Sequence, residues 1–205
     1  MTSKPLIYLA SASPRRSQLL AQIGVPHAVR PAALDESVRP GEDPATYVER
    51  LAQSKAEALW DQLAPDDRLP VLGADTTVAL GKLMLGKPAN RAESRAMLEQ
   101  LSGRTHQVFT AVALRSDAGC ESRVSVSNVT FRDLSAREMD AYAATPEPLD
   151  KAGGYAVQGL AAVFITRIAG SYSGIMGLPL CETAELLAAF GWAPFAAAAQ
   201  PGAAS

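Results

Sequence analysis

The segment LASASPRRSQLL sets Ser13, Pro14, Arg15 and Arg16 where a strand gives way to a helix. Serine is a favoured N-cap, and proline suits the first helical position because the N–H it lacks would be unpaired there anyway. The two arginines need another reason, since the first turn of a helix carries partial positive charge and disfavours cations. Unpaired N–H donors, a hydroxyl and two guanidinium forks at one helix start are suited to phosphate. A merely solvated pair of cations is the plain alternative.

Five further groups have chemistry to offer. Lys55 falls inside the apolar stripe Val48, Leu51, Ala52 and Leu59; its ammonium either snorkels past the core edge to solvent or faces a cleft as a fixed anion contact. Asp75 interrupts the apolar run VLGADTTVAL, and ligands gather beyond the carboxyl ends of strands in open α/β sheets. A turn at Asp75 is the weaker reading, because Thr76, Thr77 and Val78 continue the strand pattern. Glu36 in ALDESVRPGED is either a solvated loop acid or, with Asp75, one of two carboxylates around a magnesium ion that also binds substrate phosphates. GKLMLGKP approaches a P-loop through Gly81, Gly86 and Lys87, but Pro88 stands where the magnesium-binding hydroxyl belongs, so Lys87 reads as a single phosphate contact on a rigid turn. Gln158, in DKAGGYAVQG with Lys151 and a glycine pair, has an amide that matches the edge of uracil or thymine, against a plain surface turn as the alternative. Ser171 or Tyr172, in GSYSGIMGLPL, could line the same cleft.

These groups must be positioned by alternating elements. KPLIYLA reads as a buried strand, PRRSQLLAQIG as a helix closed by Gly24, and HAVRPA as a second strand. GEDPATYVERLAQSKAEALWDQL reads as the longest helix, with Asp43 as N-cap and Pro44 at its first position. LPVLGADTTVAL is a strand, followed by a turn, a short strand, the Lys-Pro loop and a helix that stops at Gly103. HQVFTAVALRSD and SRVSVSNVTFRDL are consecutive strands suited to antiparallel pairing, and SAREMDAYAAT has the Ser135 to Glu138 capping-box spacing. The strand AAVFITRIAG and the helix CETAELLAAFG complete a mixed α/β pattern, partly antiparallel, with flanking helices.

At 205 residues the chain suits one α/β domain, or two closely joined lobes around a cleft. We assign the domain to residues 1–192 and read 193–205, rich in Ala and Pro, as a flexible tail. A formal charge of -2 with 20% charged residues gives no broad nucleic-acid-binding surface. No apolar run reaches the ~20 residues that cross a bilayer, and Met1 to Leu6 lacks the features of a secretory signal, which makes the cytoplasm the default compartment. Cys120 and Cys181 are too far apart in sequence for a closely spaced metal pair, and His27 and His106, read as structural, cannot supply a multi-histidine site. Carboxylates and lysines must carry most of the chemistry.

In order and spacing, LASASPRRSQLL, DES, QSKAEAL, VLGADTTVALG, LGKP, LSGRTHQVFTAVAL, DKAGGYAVQG and GLPL resemble the Maf family of nucleotide pyrophosphatases over about residues 5 to 190. Arg15 after Ser-Pro, Thr76 after GAD, and Gln158 are similar to the branch that hydrolyses dTTP and UTP. The resemblance implies a Maf/ITPase-like fold with two lobes around a deep cleft, a divalent cation (Mg²⁺ or Mn²⁺), a homodimer, and hydrolysis of a nucleoside triphosphate to monophosphate and pyrophosphate. It maps the family's acids onto Asp75 and Glu36, which would hold the metal, and its lysines onto Lys55 and Lys87. Ser11, Arg15, Arg16, Thr76 and Gln158 would then bind substrate. A P-loop NTPase and a nucleotide-binding regulator of cell division without turnover are the alternative functions.

Overall fold

The computed structural model describes residues 4–193. The expected tail of 193–205 lies, from 194 onward, outside the described residues. Strand β1 (Ile7–Leu9) leads into α1 (Pro14–Gln22), and β2 (His27–Val29) returns beside β1. The long helix α2 (Pro44–Gln62) starts as its sequence predicts: the Asp43 carboxylate accepts the N–H groups of Ala45 and Thr46. Strands β3 (Val71–Leu80) and β4 (Leu83–Leu85), helix α3 (Arg91–Leu101), and the long strands β5 (Thr105–Ser116) and β6 (Gly119–Phe131) follow. Helix α4 (Ala136–Ala143) carries the full Ser135 to Glu138 capping box. Three 3-10 turns, β7 (Ile165–Ala169), the short α5 (Tyr172–Met176) and α6 (Leu180–Ala188) finish the described chain.

The described strands make one 7-stranded mixed sheet in the order β2-β1-β3-β5-β6-β7, with β4 paired to β3 off this path. Strand β1 is parallel to β2 and β3, and every other pairing is antiparallel. On one face of the sheet the long strands β3 and β5 run through two apolar cores, which makes the lobes halves of one sheet. At one end Leu72, Ala74, Val112 and Leu114 pack with Leu19, Leu20, Leu186 and Leu187. At the other, Val78 and Val108 pack with Leu98, Leu101, Phe131 and Phe164. Between them on that face stand Thr76 and, opposite it, Thr110, while Asp75 and Thr77 alternate to the other face, where Asp75 meets Lys55 of α2.

Helix α2 covers the sheet at close range because Gly73 has no side chain. A Cβ there would sit 2.1 Å from the Ala52 carbonyl oxygen and 2.9 Å from the Ala56 nitrogen. This contact sets the depth at which Lys55, the next residue but two after Ala52, meets β3.

Three local features differ from the sequence pattern. Residues 160–164 form a 3-10 turn, so the strand begins only at Ile165. The Glu147 carboxylate explains this, since it accepts the N–H groups of Leu160 and Ala161 as a cap would. The glycine-rich GSYSGIMG contains helix α5, capped by the Ser171 hydroxyl accepting from Gly174 N–H. Ser13 stands at the N-cap of α1, but its hydroxyl makes no capping bond.

Candidate active site

A cavity of about 620 Å³ opens between the lobes, a size suited to a small-molecule ligand. Ser11, Arg15, Arg16, Glu36, Lys55 and Asp75 line it, together with Thr76, Lys87 and Gln158, so these nine sequence-predicted residues meet in one place. Ser171 and Tyr172 do not line it; Ile175, Met176 and Gly177 of the same segment do.

Each group is brought there by its own element. In α1 the buried positions are Arg16, Leu19 and Leu20, one helical face, so Arg16 is drawn under the helix while Arg15 stays at the cleft mouth. Arg16 donates from Nε to the Gly177 carbonyl at 2.8 Å, from Nη1 to Ser11 Oγ at 3.0 Å and from Nη2 to Thr76 Oγ1 at 3.2 Å. Arg15 instead reaches across the cleft to Asp150, Nη1 to Oδ2 at 3.2 Å, and Asp150 also pairs with Lys151. Sequence reasoning missed Asp150, because it lies 135 positions from Arg15 and no local pattern joins them.

Lys55 is 7% exposed and does not snorkel to solvent. Its Nζ lies 2.6 Å from Asp75 Oδ1 and 2.7 Å from Glu36 Oε1, tying α2, β3 and the loop before α2 together. That loop is held by α2 itself: Tyr47 Oη donates to the Glu36 carbonyl, and Arg50 binds the Ser37 carbonyl and the Glu42 carboxylate. Burial pushes the Asp75 carboxyl above the ordinary carboxylate range, against the pull of Lys55 and Arg16. Desolvation also acts upward on Glu36, yet its bond to Lys55, with the charges of Lys55, Lys87 and Arg16, holds it below its usual value. Burial lowers Arg16, with Asp75 opposing, and a guanidinium remains protonated under such pressure.

Lys87 is exposed at the rim, on the loop between β4 and α3. Leu83–Leu85, between Gly81 and Gly86, form a strand, with Val78 opposite Leu85 and Leu80 opposite Leu83, so this segment cannot wrap a phosphate as a P-loop does. The loop is pinned where the Gly86 carbonyl accepts Gly153 N–H at 3.0 Å. Gly153 has φ +70, and a Cβ there would sit 2.8 Å from Val78 Cγ2, which explains a glycine at that point of DKAGGYAVQG. Gln158 follows at the exposed edge, and Tyr155, Ala156 and Val157 give the cavity an apolar side beside it.

The donor set fits a hard divalent cation. Asp75 and Glu36 each spend one oxygen on Lys55, while Asp75 Oδ2 and Glu36 Oε2 make no hydrogen bond among the described residues. No group of three or more His, Cys, Asp and Glu that could hold a metal occurs among the described residues. Two carboxylates completed by substrate phosphates is a usual arrangement for magnesium.

Five cations and three carboxylates line the cavity, an excess of two positive charges in a chain whose formal charge is -2. The fold and site therefore define a class: a mixed α/β domain whose cleft concentrates cations around a buried aspartate, suited to a polyphosphate. The chain belongs to the Maf family, whose model, described as Maf-like protein, matches residues 6–190. It is 49% identical over 185 residues to a protein of Hahella chejuensis named dTTP/UTP pyrophosphatase, covering 90% of this chain and 92% of that one. It is 52% identical over 190 residues to a protein of the same name from Alkalilimnicola ehrlichii, covering 91% and 94%. Among solved structures it is similar to the Staphylococcus aureus Ham1 protein, with a TM-score of 0.47 and 16% identity over 90% of this chain and 96% of that one.

Proposed function

We propose that this protein is a nucleoside triphosphate pyrophosphatase that hydrolyses dTTP and UTP to the monophosphate and pyrophosphate. The single observation that carries the reading is the Lys55 ammonium between Asp75 and Glu36, at the floor of a cleft otherwise rich in cations. Relatives of that name at about half identity over most of the chain support the choice of substrate.

Arg15, Lys87, Lys151, the free N–H groups of Arg16 and the hydroxyl of Ser11 hold the triphosphate and neutralise the departing pyrophosphate. Phosphoryl transfer is helped chiefly by such positioning and charge stabilisation. Asp75 Oδ2 orients the attacking water and draws its proton, while Lys55 on Oδ1 fixes the plane of the carboxylate. The water oxygen forms the new bond to phosphorus, the bond to the bridging oxygen breaks, and pyrophosphate leaves with that electron pair. Mg²⁺ or Mn²⁺, held by Glu36 with the substrate phosphates beside Asp75, would supply charge neutralisation and polarisation of the phosphate oxygens. Gln158 beside the apolar wall reads the pyrimidine edge, and Thr76 acts next to Asp75.

Purified protein incubated with magnesium and dTTP, UTP, CTP, GTP and methylated nucleotides tests this. Pyrophosphate from dTTP and UTP is the expected product; orthophosphate, or saturable binding with no product, would contradict it. Chelation is expected to stop turnover and added Mg²⁺ or Mn²⁺ to restore it. The homodimer and the cytoplasmic location belong to the same proposal. Among the described residues no helix is long and apolar enough to cross a membrane, and sedimentation of the purified chain measures its oligomeric state.

A further inference from the structure

Behind the cleft wall the hydrogen-bond directions around Arg16 can be counted. Thr76 Oγ1 accepts from Arg16 Nη2, and 3.0 Å beyond it lies Thr110 Oγ1, which is 2.8 Å from the Gly174 carbonyl oxygen. Thr110 is the donor in both contacts, its hydroxyl hydrogen shared between Thr76 Oγ1 and the Gly174 carbonyl oxygen. Thr76 Oγ1 therefore accepts from both Arg16 Nη2 and Thr110, which uses both of its lone pairs.

The same count applies to Ser11. Its Oγ accepts from Ser13 N–H at 3.2 Å and from Arg16 Nη1 at 3.0 Å, which uses both lone pairs. Its own O–H is the one valence left, and Ser11 lines the cleft. Ser11 is thereby made a donor that can satisfy only an acceptor, as the oxygens of a phosphate are.

We propose that Thr110, itself outside the cavity lining and 1% exposed, is a positioning residue that acts through Thr76 and Arg16 to hold Ser11 as an obligate hydrogen-bond donor to the substrate's phosphate chain. This rests on the reading of the cleft as a triphosphate site. Without the Thr110 hydroxyl, Thr76 Oγ1 loses one of its two donors and its hydroxyl is free to turn, the lone pair offered to Arg16 is no longer fixed, and Arg16 loosens its hold on Ser11. The register supports the pairing, since Thr76 and Thr110 stand directly opposite on β3 and β5. Both threonines are needed at that rung: a valine of the same shape would leave the row without its middle member.

Calorimetric binding of inorganic triphosphate tests the inference without turnover. Thr110→Val is expected to weaken binding about 3- to 10-fold, the scale of one net hydrogen bond, and Thr110→Ser to restore it. Ser11→Ala should weaken binding by a similar factor, and Ser11→Ala with Thr110→Val by no more than Ser11→Ala alone, because both act on one bond. Thr110→Ala serves the same comparison if the valine variant does not fold. Unchanged binding by Thr110→Val, losses that multiply in the double variant, or a parent protein that does not bind triphosphate would each overturn the proposal. A parent that binds triphosphate yet releases no pyrophosphate from nucleotides would sink the proposed function and leave the role of Thr110 standing.

Discussion

The buried Asp75 is opposed by Lys55, and Lys55 has a second partner in Glu36. This makes Asp75→Asn an informative change: it keeps the shape, and Lys55 retains a carboxylate, so the fold should survive. Loss of a positioned proton acceptor typically costs about 100- to 10,000-fold in rate, and steady-state hydrolysis of UTP by Asp75→Asn is expected to fall in that range with little change in melting temperature. A different residue governs stability against pH. His106 is 1% exposed, its Nε2 meets Tyr155 Oη at 2.8 Å, and its Nδ1 is buried without a partner. Burial lowers its pKa to about 4 from the ordinary 6.5, so the unfolded chain binds a proton at pH values where the folded chain does not. Stability from this group is complete above pH 6.5 and is lost as pH falls toward 4, by roughly 3 kcal/mol. Urea midpoints between pH 7 and pH 4 measure the slope, which should flatten in His106→Gln.

At the scale of elements, α2 carries Lys55 on a helix whose depth is set by Gly73. Gly73→Ala would drive a methyl into the Ala52 carbonyl, and overpacking of this kind costs about 1–3 kcal/mol or more. The expected outcome is a melting temperature lower by several degrees, with UTP hydrolysis reduced because Lys55 moves off Asp75; unchanged melting would mean α2 does not bear on β3 at this point. Much of this scale is legible in the sequence. Asp43 and Pro44 announce the start of α2, Ser135 and Glu138 cap α4, and the stripe around Lys55 puts it on the core-facing side of α2 while leaving open whether its ammonium snorkels to solvent. Arg16 is readable too, three and four positions before Leu19 and Leu20 on the buried face. The 3-10 turn at 160–164 is not, because its cap, Glu147, comes from a segment more than ten residues earlier.

The whole molecule adds what no segment contains. One sheet carries two cores on one face, and the site lies between them along the paired strands β3 and β5. Chemistry-bearing residues are legible because their types are unusual for their places: an acid in an apolar strand, a lysine in an apolar stripe, arginines at a helix start. Their partners are not, since Thr110 opposite Thr76 and Asp150 opposite Arg15 depend on register and lobe packing across 34 and 135 positions. The cleft unites these distant groups around a buried carboxylate, and its purpose is most directly tested by the fate of phosphorus. A ³¹P NMR time course of dTTP with magnesium, run in parallel for the parent protein and Asp75→Asn, should show dTMP and pyrophosphate accumulating together in the first and almost nothing in the second. Orthophosphate with dTDP as the first products, or equal rates in the two samples, would contradict the account.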